Sequence, residues 1–288
     1  MIYISLLLII CSAICHATWN ILAKKSVDKL SFMWLQMIVN IVLLGAPILF
    51  FFGFPPVKAL PFLLMSGILQ AIYYLLLAKS YTIGEVSLVY PLARGSAPMF
   101  VCLFSTILGI EHITFPMFLS ILIIVFGIYT VNMRDFKKEY LFEPFYALKK
   151  YPATRFSLLS GVIIACYTIV DKMSVSNASP FVVFYIITVI PCLLLAPFMI
   201  KRGKYIEEIK QNKFRIILVA LLTFAAYALV LISMKGSHVS YVSSIREISV
   251  VFVAIYYTIT SKEKNWKCKI ISSVLIFIGI VSLSVLSH

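Results

Sequence analysis

Residues 31–52 read SFMWLQMIVNIVLLGAPILFFF, a stretch without a charged side chain. A helix of about 20 apolar residues is long enough to cross the hydrocarbon core of a bilayer and longer than most core helices of soluble proteins. Similar stretches recur along the chain and predict ten spans. They are residues 2–23, 31–52, 60–79, 86–108, 113–133, 155–175, 179–200, 214–234, 239–260 and 269–287. The sequence therefore predicts an all-α polytopic membrane protein with ten transmembrane helices.

The composition agrees with this fold class. Of the 288 residues 62% are hydrophobic and 12% are charged, and the mean hydropathy is +1.02. A formal charge of +14 would ordinarily suggest nucleic-acid binding. Here the basic residues lie in short segments between apolar stretches rather than on a soluble face, so membrane topology explains them better. We expect contact with membrane lipids and no nucleic-acid partner.

The two halves of the chain resemble each other in sequence. Residues 16–27 align with residues 164–175 with five identities, and residues 86–96 align with residues 239–249 at a similar distance along the chain. Together these matches indicate an internal duplication. Five helices per repeat is an odd number, so the second copy must enter the membrane from the opposite side. The predicted organisation is a first five-helix repeat (1–133), a basic and aromatic connecting loop (134–154) and a second five-helix repeat (155–288).

The distribution of basic residues predicts the orientation. Loops after the odd-numbered spans carry most of the Lys and Arg residues, whereas those after the even-numbered spans hold only Lys58, Lys172 and Lys235. Basic loops stay in the cytoplasm. The sequence thus predicts both termini outside, most simply in a cytoplasmic membrane.

A short motif on the first helix, His16-Ala-Thr-Trp-Asn20, resembles the opening of proteins in the EamA branch of the drug/metabolite transporter superfamily. Length, helix number, duplication and small-residue-rich fourth and ninth helices are similar to the same family over essentially the whole chain. The resemblance implies transport without ATP, by alternating access through a central cavity between the halves. Known members handle amino acids, sugar phosphates, nucleotide sugars and other small polar metabolites.

Polar side chains inside the first two spans are the first site candidates. His16, Trp19 and Asn20 are spaced i, i+3 and i+4, so they share one helix face and could line a cavity or bond neighbouring helices. Gln36 and Asn40 repeat this spacing on the second helix, where helix-to-helix hydrogen bonding is the favoured interpretation.

Charges inside later spans are stronger candidates, because ions are costly in hydrocarbon unless they are used. Arg94 lies in the fourth span, and the repeat alignment sets it opposite Glu247, beside Arg246. Two guanidinium groups against one carboxylate leave a positive excess suited to a substrate carboxylate or phosphate. Tyr90 and Ser243, one turn earlier on each helix, extend these faces with hydroxyl groups. A clamp or gate made by the same ions remains the alternative.

Other polar residues rank lower. Glu85 and His238 occupy corresponding repeat positions near helix starts, where either could titrate in proton-coupled transport, although ordinary solvation is favoured. Asp171 with Lys172 is interpreted as a charge pair at headgroup level rather than an ion site. Four tyrosines are secondary candidates for the aromatic wall of a cavity. They are Tyr73, Tyr74, Tyr167 and Tyr227.

The predicted function is a secondary transporter of a small anionic or zwitterionic metabolite, either amino-acid-like or phosphorylated. A flippase for a lipid-linked polar headgroup is the close alternative, and a channel is a further one. An enzyme is disfavoured, because HExxH, GxSxG and phosphate-loop motifs are absent from the sequence and its four His lack metal-ligand spacing. We expect no catalytic residue, metal or cofactor, and the sequence leaves proton coupling, exchange coupling and oligomeric state open.

Overall fold

The computed structural model describes residues 2–110, 112–130, 133, 135, 137–246, 249, 256 and 266–286 of the chain. Within these ranges the secondary structure is helical and contains no β-strand. The helices of this part are numbered here in chain order. They are α1 (Ile2–Lys24), α2 (Lys29–Phe52), α3 (Leu60–Ile83), α4 (Val86–Gly95), α5 (Ala97–Ile107), α6 (Phe115–Thr130), α7 (Glu143–Lys150), α8 (Pro152–Asn177), α9 (Pro180–Arg202), α10 (Tyr205–Gly236), α11 (Val239–Arg246) and α12 (Trp266–Leu286).

Eight stretches of the described residues are long and apolar enough to cross a membrane, with α4 and α5 together forming one of them, Leu88–Ile107. Helix α6 is apolar but shorter, with 16 residues. That length corresponds to about 24 Å, less than the hydrocarbon thickness of about 30 Å. The predicted ninth span, 239–260, is described only over α11 and at positions 249 and 256. Multiple membrane-spanning helices are thus confirmed, whereas the count of ten is not.

Two helix boundaries differ from the prediction. Helix α10 begins at Tyr205 rather than near residue 214, and Asn212 interrupts it with φ −130° and ψ 18°. The connecting segment 134–154 is not a plain loop, because it contains α7 and a 3-10 turn at Lys138–Tyr140. Both regions were predicted as loops because their charged residues lower the hydropathy. Hydropathy indicates which residues contact lipid and does not indicate where helices form.

The fourth predicted span is interrupted in the structure. Helix α4 ends at Gly95 and α5 begins at Ala97, with Ser96 between them. Pro98 has no N–H to donate to the carbonyl of Arg94 four residues earlier, so the helical hydrogen-bond ladder is broken there. The break places Arg94 in the last turn of α4, where the helix dipole favours a cation.

The chain forms two compact units, each built from two separate segments of the sequence. The first unit comprises residues 1–78 and 166–237, and the second comprises residues 79–165 and 238–288. In the first unit α1 packs on α10, and α2 packs on both α9 and α10. In the second unit α12 packs on α6, α11 and α4, while α5 packs on α4 and α11.

Close backbone approach characterises the packing of α6 on α12. Gly127 of α6 and Gly279 of α12 each face the backbone of the other helix, and a buried apolar cluster fills the same interface. The hydroxyls of Thr130 and Ser272 lie 2.8 Å apart across it. Small residues let membrane helices approach closely, and van der Waals contact then holds them together.

Candidate functional site

The predicted polar face of α1 lies in the first unit and is buried. His16, Trp19 and Asn20 have 6%, 4% and 2% of their surface exposed. The indole N–H of Trp19 donates to Nδ1 of His16 at 2.9 Å, and Nδ2 of Asn20 donates to the carbonyl oxygen of His16 at 2.8 Å. Because Nδ1 accepts, the neutral imidazole of His16 carries its proton on Nε2. The i, i+3 and i+4 spacing therefore brings these groups together, as expected.

Gln36 and Asn40 form a small network with α10. The hydroxyl of Thr223 donates to Oε1 of Gln36 at 2.7 Å, and Nδ2 of Asn40 lies 3.3 Å from the same oxygen. Both amide side chains are buried. This contact joins α2 to α10, which matches the prediction of helix-to-helix bonding for these two residues.

The four tyrosines that were secondary candidates come together in the first unit. The ring centroid of Tyr73 lies 5.3 Å from that of Tyr74 and 5.7 Å from that of Tyr167. Tyr167 in turn lies 6.5 Å from Tyr227. These rings join α3, α8 and α10 in one aromatic cluster, and that they form the wall of a substrate cavity stays a prediction.

Asp171 contacts this cluster through Tyr227. The expected position at headgroup level implied a solvated carboxylate, whereas Asp171 has 0% of its surface exposed. Its Oδ1 accepts a hydrogen bond from the hydroxyl of Ser66 at 2.5 Å, and its Oδ2 accepts one from the hydroxyl of Tyr227. The ammonium of Lys172 instead donates to the carbonyl oxygens of Met234 and Ser237, where α10 ends. Residues adjacent in a helix point in different directions, and that rule could have separated the two side chains beforehand.

Arg94 and Arg246 both belong to the second unit. Only 1% of Arg94 and 0% of Arg246 is exposed, so both guanidinium groups are in the interior. The helices that carry them, α4 and α11, pack against the same two helices, α5 and α12. Guanidinium groups stay protonated and offer planar donor pairs that match carboxylate and phosphate oxygens.

Tyrosine and serine residues lie close to both arginines in the sequence. The Tyr90 hydroxyl is 3.0 Å from Oγ of Ser249, and both residues are buried. Ser243 is buried too, and its Oγ makes no hydrogen bond with any described residue. Glu247 lies outside the described residues, so the expected pairing of Arg94 with Glu247 stays a prediction.

The remaining charged candidate, Glu85, pairs with Lys269 in the second unit. The carboxylate is 64% exposed, whereas the Lys269 side chain is only 6% exposed. This pair lies at the start of α4, and His238, before α11, is exposed. Among the described residues, no group of three or more His, Cys, Asp or Glu side chains is placed to hold a metal ion.

Each unit thus contributes a distinct kind of chemistry. The first holds a buried carboxylate bounded by hydroxyl, amide and aromatic groups. The second holds two buried guanidinium groups with serine and tyrosine hydroxyls on the same helices. Buried ionisable groups in membrane proteins usually mark ion or substrate pathways, because burying a charge is costly unless it serves a function.

Comparison with known proteins adds independent information. A family model described as the EamA-like transporter family matches residues 3–133 and again residues 145–285. A solved structure titled only "Crystal structure of protein" has a similar fold, with a TM-score of 0.66 and 15% identity over 98% of each chain. No curated protein matches the chain by sequence.

Proposed function

Because the chain belongs to the EamA-like transporter family, we propose that it is a secondary transporter moving a small anionic or zwitterionic metabolite across the membrane by alternating access. The observation that carries the proposal is the family match to both halves, residues 3–133 and 145–285, in a chain with many membrane-spanning helices. Members of this family are transporters rather than enzymes. An ATP-driven pump is disfavoured, because the sequence has no phosphate-loop motif.

The buried arginines support the proposed substrate class. Arg94 and Arg246 place two permanent positive charges in the interior of the second unit. A carboxylate or phosphate group on the substrate would accept paired hydrogen bonds from a guanidinium group. Neighbouring hydroxyls such as Ser243 can add directional donors or acceptors. The fitting substrates are amino-acid-like or phosphorylated metabolites.

The proposed architecture follows the same evidence. Residues 1–133 and 155–288 would be the two inverted five-helix repeats, with residues 134–154 as their connection. The two-part family match and the internal sequence similarity support this division. The basic-loop count supports a cytoplasmic membrane with both termini outside.

Uptake by reconstituted protein tests the function. Proteoliposomes and protein-free liposomes would be offered a panel of radiolabelled amino acids and organic phosphates. We expect saturable uptake of at least one anionic or zwitterionic compound, together with accelerated exchange when the same compound is loaded inside. Uptake that rises linearly with concentration would instead indicate a channel. Transfer of a lipid-linked headgroup between leaflets, without uptake of any soluble compound, would indicate a flippase.

A further inference from the structure

Asp171 is a buried carboxylate that has no part in the proposed binding of substrate by the arginines. It lies on α8 in the first unit, six residues before the end of a stretch that qualifies as a membrane span, Pro152–Asn177. A carboxylate in such a position is costly unless it serves a function. Both of its oxygens accept hydrogen bonds, one from Ser66 of α3 and one from Tyr227 of α10.

An outer layer of polar and aromatic groups encloses this pair of contacts. Nε2 of Gln70 lies 3.3 Å from Oγ of Ser66 and 3.4 Å from the hydroxyl of Tyr227, so it contacts both partners of the carboxylate. Ser66 has 0% and Gln70 7% of its surface exposed. The ring of Tyr227 also packs near that of Tyr167, with centroids 6.5 Å apart. These residues hold Asp171 at a fixed position in the interior.

The chemistry of the partners suits a proton. A hydroxyl can either donate or accept a hydrogen bond, so Ser66 and Tyr227 can donate to the ionised carboxylate. When Asp171 is protonated, its own O–H can donate to one of the same two oxygens after a simple hydroxyl rotation. Both forms of Asp171 are then hydrogen-bonded by the same side chains. A proton can therefore bind the carboxylate without displacing Ser66 or Tyr227.

Three lysines on the contacting helices lie in other surroundings. The Lys172 ammonium, next to Asp171 on α8, binds the carbonyl oxygens at the end of α10. Lys79 of α3 and Lys235 of α10 are exposed. The phenol of Tyr227 bonds the carboxylate directly, and its ring belongs to the cluster with Tyr73 and Tyr167.

We propose that Asp171 takes up and releases the proton that couples this transporter to a pH gradient. This inference rests on the proposed transport function and adds its coupling ion. In each cycle the Asp171 carboxylate accepts one proton from water on one side of the membrane and later returns it to water on the other. The carboxylate is neutral while the proton is bound, and the cycle ends with the same carboxylate that began it.

Infrared difference spectroscopy tests the proton site without any substrate. Purified protein in lipid would be titrated from about pH 9 to about pH 5, the range in which buried carboxyl groups often titrate. We expect the C=O stretching band of a protonated carboxyl group to appear in the wild type and to be absent from Asp171→Asn. Tyr227→Phe, which keeps the ring, should shift the midpoint of the band. Asp28→Asn, which changes a carboxylate at a loop, is the matched control and should retain it.

Transport supplies the second readout. Uptake of the same amino-acid and organic-phosphate panel would be measured with and without an imposed pH gradient. We expect a several-fold increase for the wild type with the gradient and no increase for Asp171→Asn, which should still catalyse exchange. The same titrating band in Asp171→Asn, or an unchanged gradient effect in that variant, would overturn the proposal. Absence of uptake by the wild type would count against the transport function, while the infrared titration would still decide whether Asp171 takes up a proton.

Discussion

Nη2 of Arg202 lies 2.8 Å from Oδ2 of Asp28, and the other carboxylate oxygen of Asp28 accepts the backbone N–H of Ser31 at 2.9 Å. Asp28 thereby caps the N-terminus of α2 while it ties that helix to the end of α9. Burial raises the pKa of Asp28, but the hydrogen bonds from Ser31 and the positive charge of Arg202 lower it by more. The pKa of Asp28 therefore lies below its ordinary value.

A carboxylate with a lowered pKa stabilises the folded state only while it is ionised. Its contribution is present above the unfolded pKa of about 3.9 and is lost as the pH falls through the lower folded value. We predict that Asp28→Asn lowers the midpoint of thermal unfolding at neutral pH. The difference from the wild type should shrink as the pH falls below about 4.

Scanning fluorimetry in detergent at several pH values would measure this difference. Asp135→Asn is the control, because Asp135 is 52% exposed and lies 3.7 Å from Lys137, which is 68% exposed. Exposed ion pairs contribute little to stability. Equal midpoints for Asp28→Asn and the wild type at neutral pH would show that the capping contact is unimportant.

Arg94 provides a test of the anion-binding role. Arg94→Ala should reduce uptake about tenfold or more, because a hydrogen bond to a charged group contributes about 1.5–3 kcal/mol. Arg94→Lys keeps the charge but loses the planar donor pair, so its uptake should be intermediate. The measurement is initial uptake per amount of inserted protein.

Arg155→Ala removes an exposed arginine from the same unit and serves as the matched control for Arg94→Ala. It should transport like the wild type. If Arg94→Ala does the same, the buried guanidinium has no part in substrate binding. Loss of membrane insertion in Arg94→Ala alone would support the alternative clamp between helices.

Gln36 and Thr223 are expected to stabilise the first unit without contacting substrate. Their hydrogen bond joins α2 to α10 at 2.7 Å. Such bonds in membrane proteins contribute about 0.6 kcal/mol on average. Gln36→Leu and Thr223→Val should each lower the unfolding midpoint slightly, and the double variant should show less than the sum of both effects because the two residues share one contact.

Thr106→Val is the control for Thr223→Val, since the Thr106 hydroxyl donates to the carbonyl oxygen of Cys102 in its own helix. It should leave the midpoint nearly unchanged. Uptake should persist in all of these variants. A large loss of uptake in Gln36→Leu with an unchanged unfolding midpoint would show that Gln36 binds substrate rather than stabilising the fold.

Local spacing predicted the parts of the candidate site that lie on one helix. His16, Trp19 and Asn20 meet because residues three and four apart share a helix face. The same rule placed Gln36 beside Asn40. These contacts depend on helix geometry alone, so a sequence is sufficient to predict them.

Contacts between segments far apart in the sequence were harder to predict. Asp171 lies 105 positions from Ser66 in the chain, and no local pattern joins them. Glu208 is another example, because its 0% exposure follows from accepting the N–H of Asp28 at 2.8 Å and Nδ2 of Asn212 at 2.6 Å. Its charge alone indicated a loop. Tertiary hydrogen-bond partners allow a charged residue to be buried, and the sequence does not identify those partners.

Gly127 and Gly279 provide a test of close packing between α6 and α12. A Cβ on Gly127 would lie 2.9 Å from the backbone nitrogen of Ile276, and one on Gly279 would lie 2.9 Å from the carbonyl oxygen of Ser120. Backbone atoms cannot rotate away, so either alanine must push the helices apart. Such overpacking costs about 1–3 kcal/mol, which exceeds the gain of about 1 kcal/mol that alanine brings to a helix.

We therefore predict that Gly127→Ala and Gly279→Ala each lower the midpoint of thermal unfolding. Gly236→Ala is the control, because a Cβ at this position of α10 has no described atom within 4 Å and gains helix propensity without a clash. Its midpoint should equal or exceed that of the wild type. If Gly127→Ala and Gly279→Ala raise the midpoint as Gly236→Ala does, the two helices have room for a methyl group and their close approach does not contribute to stability.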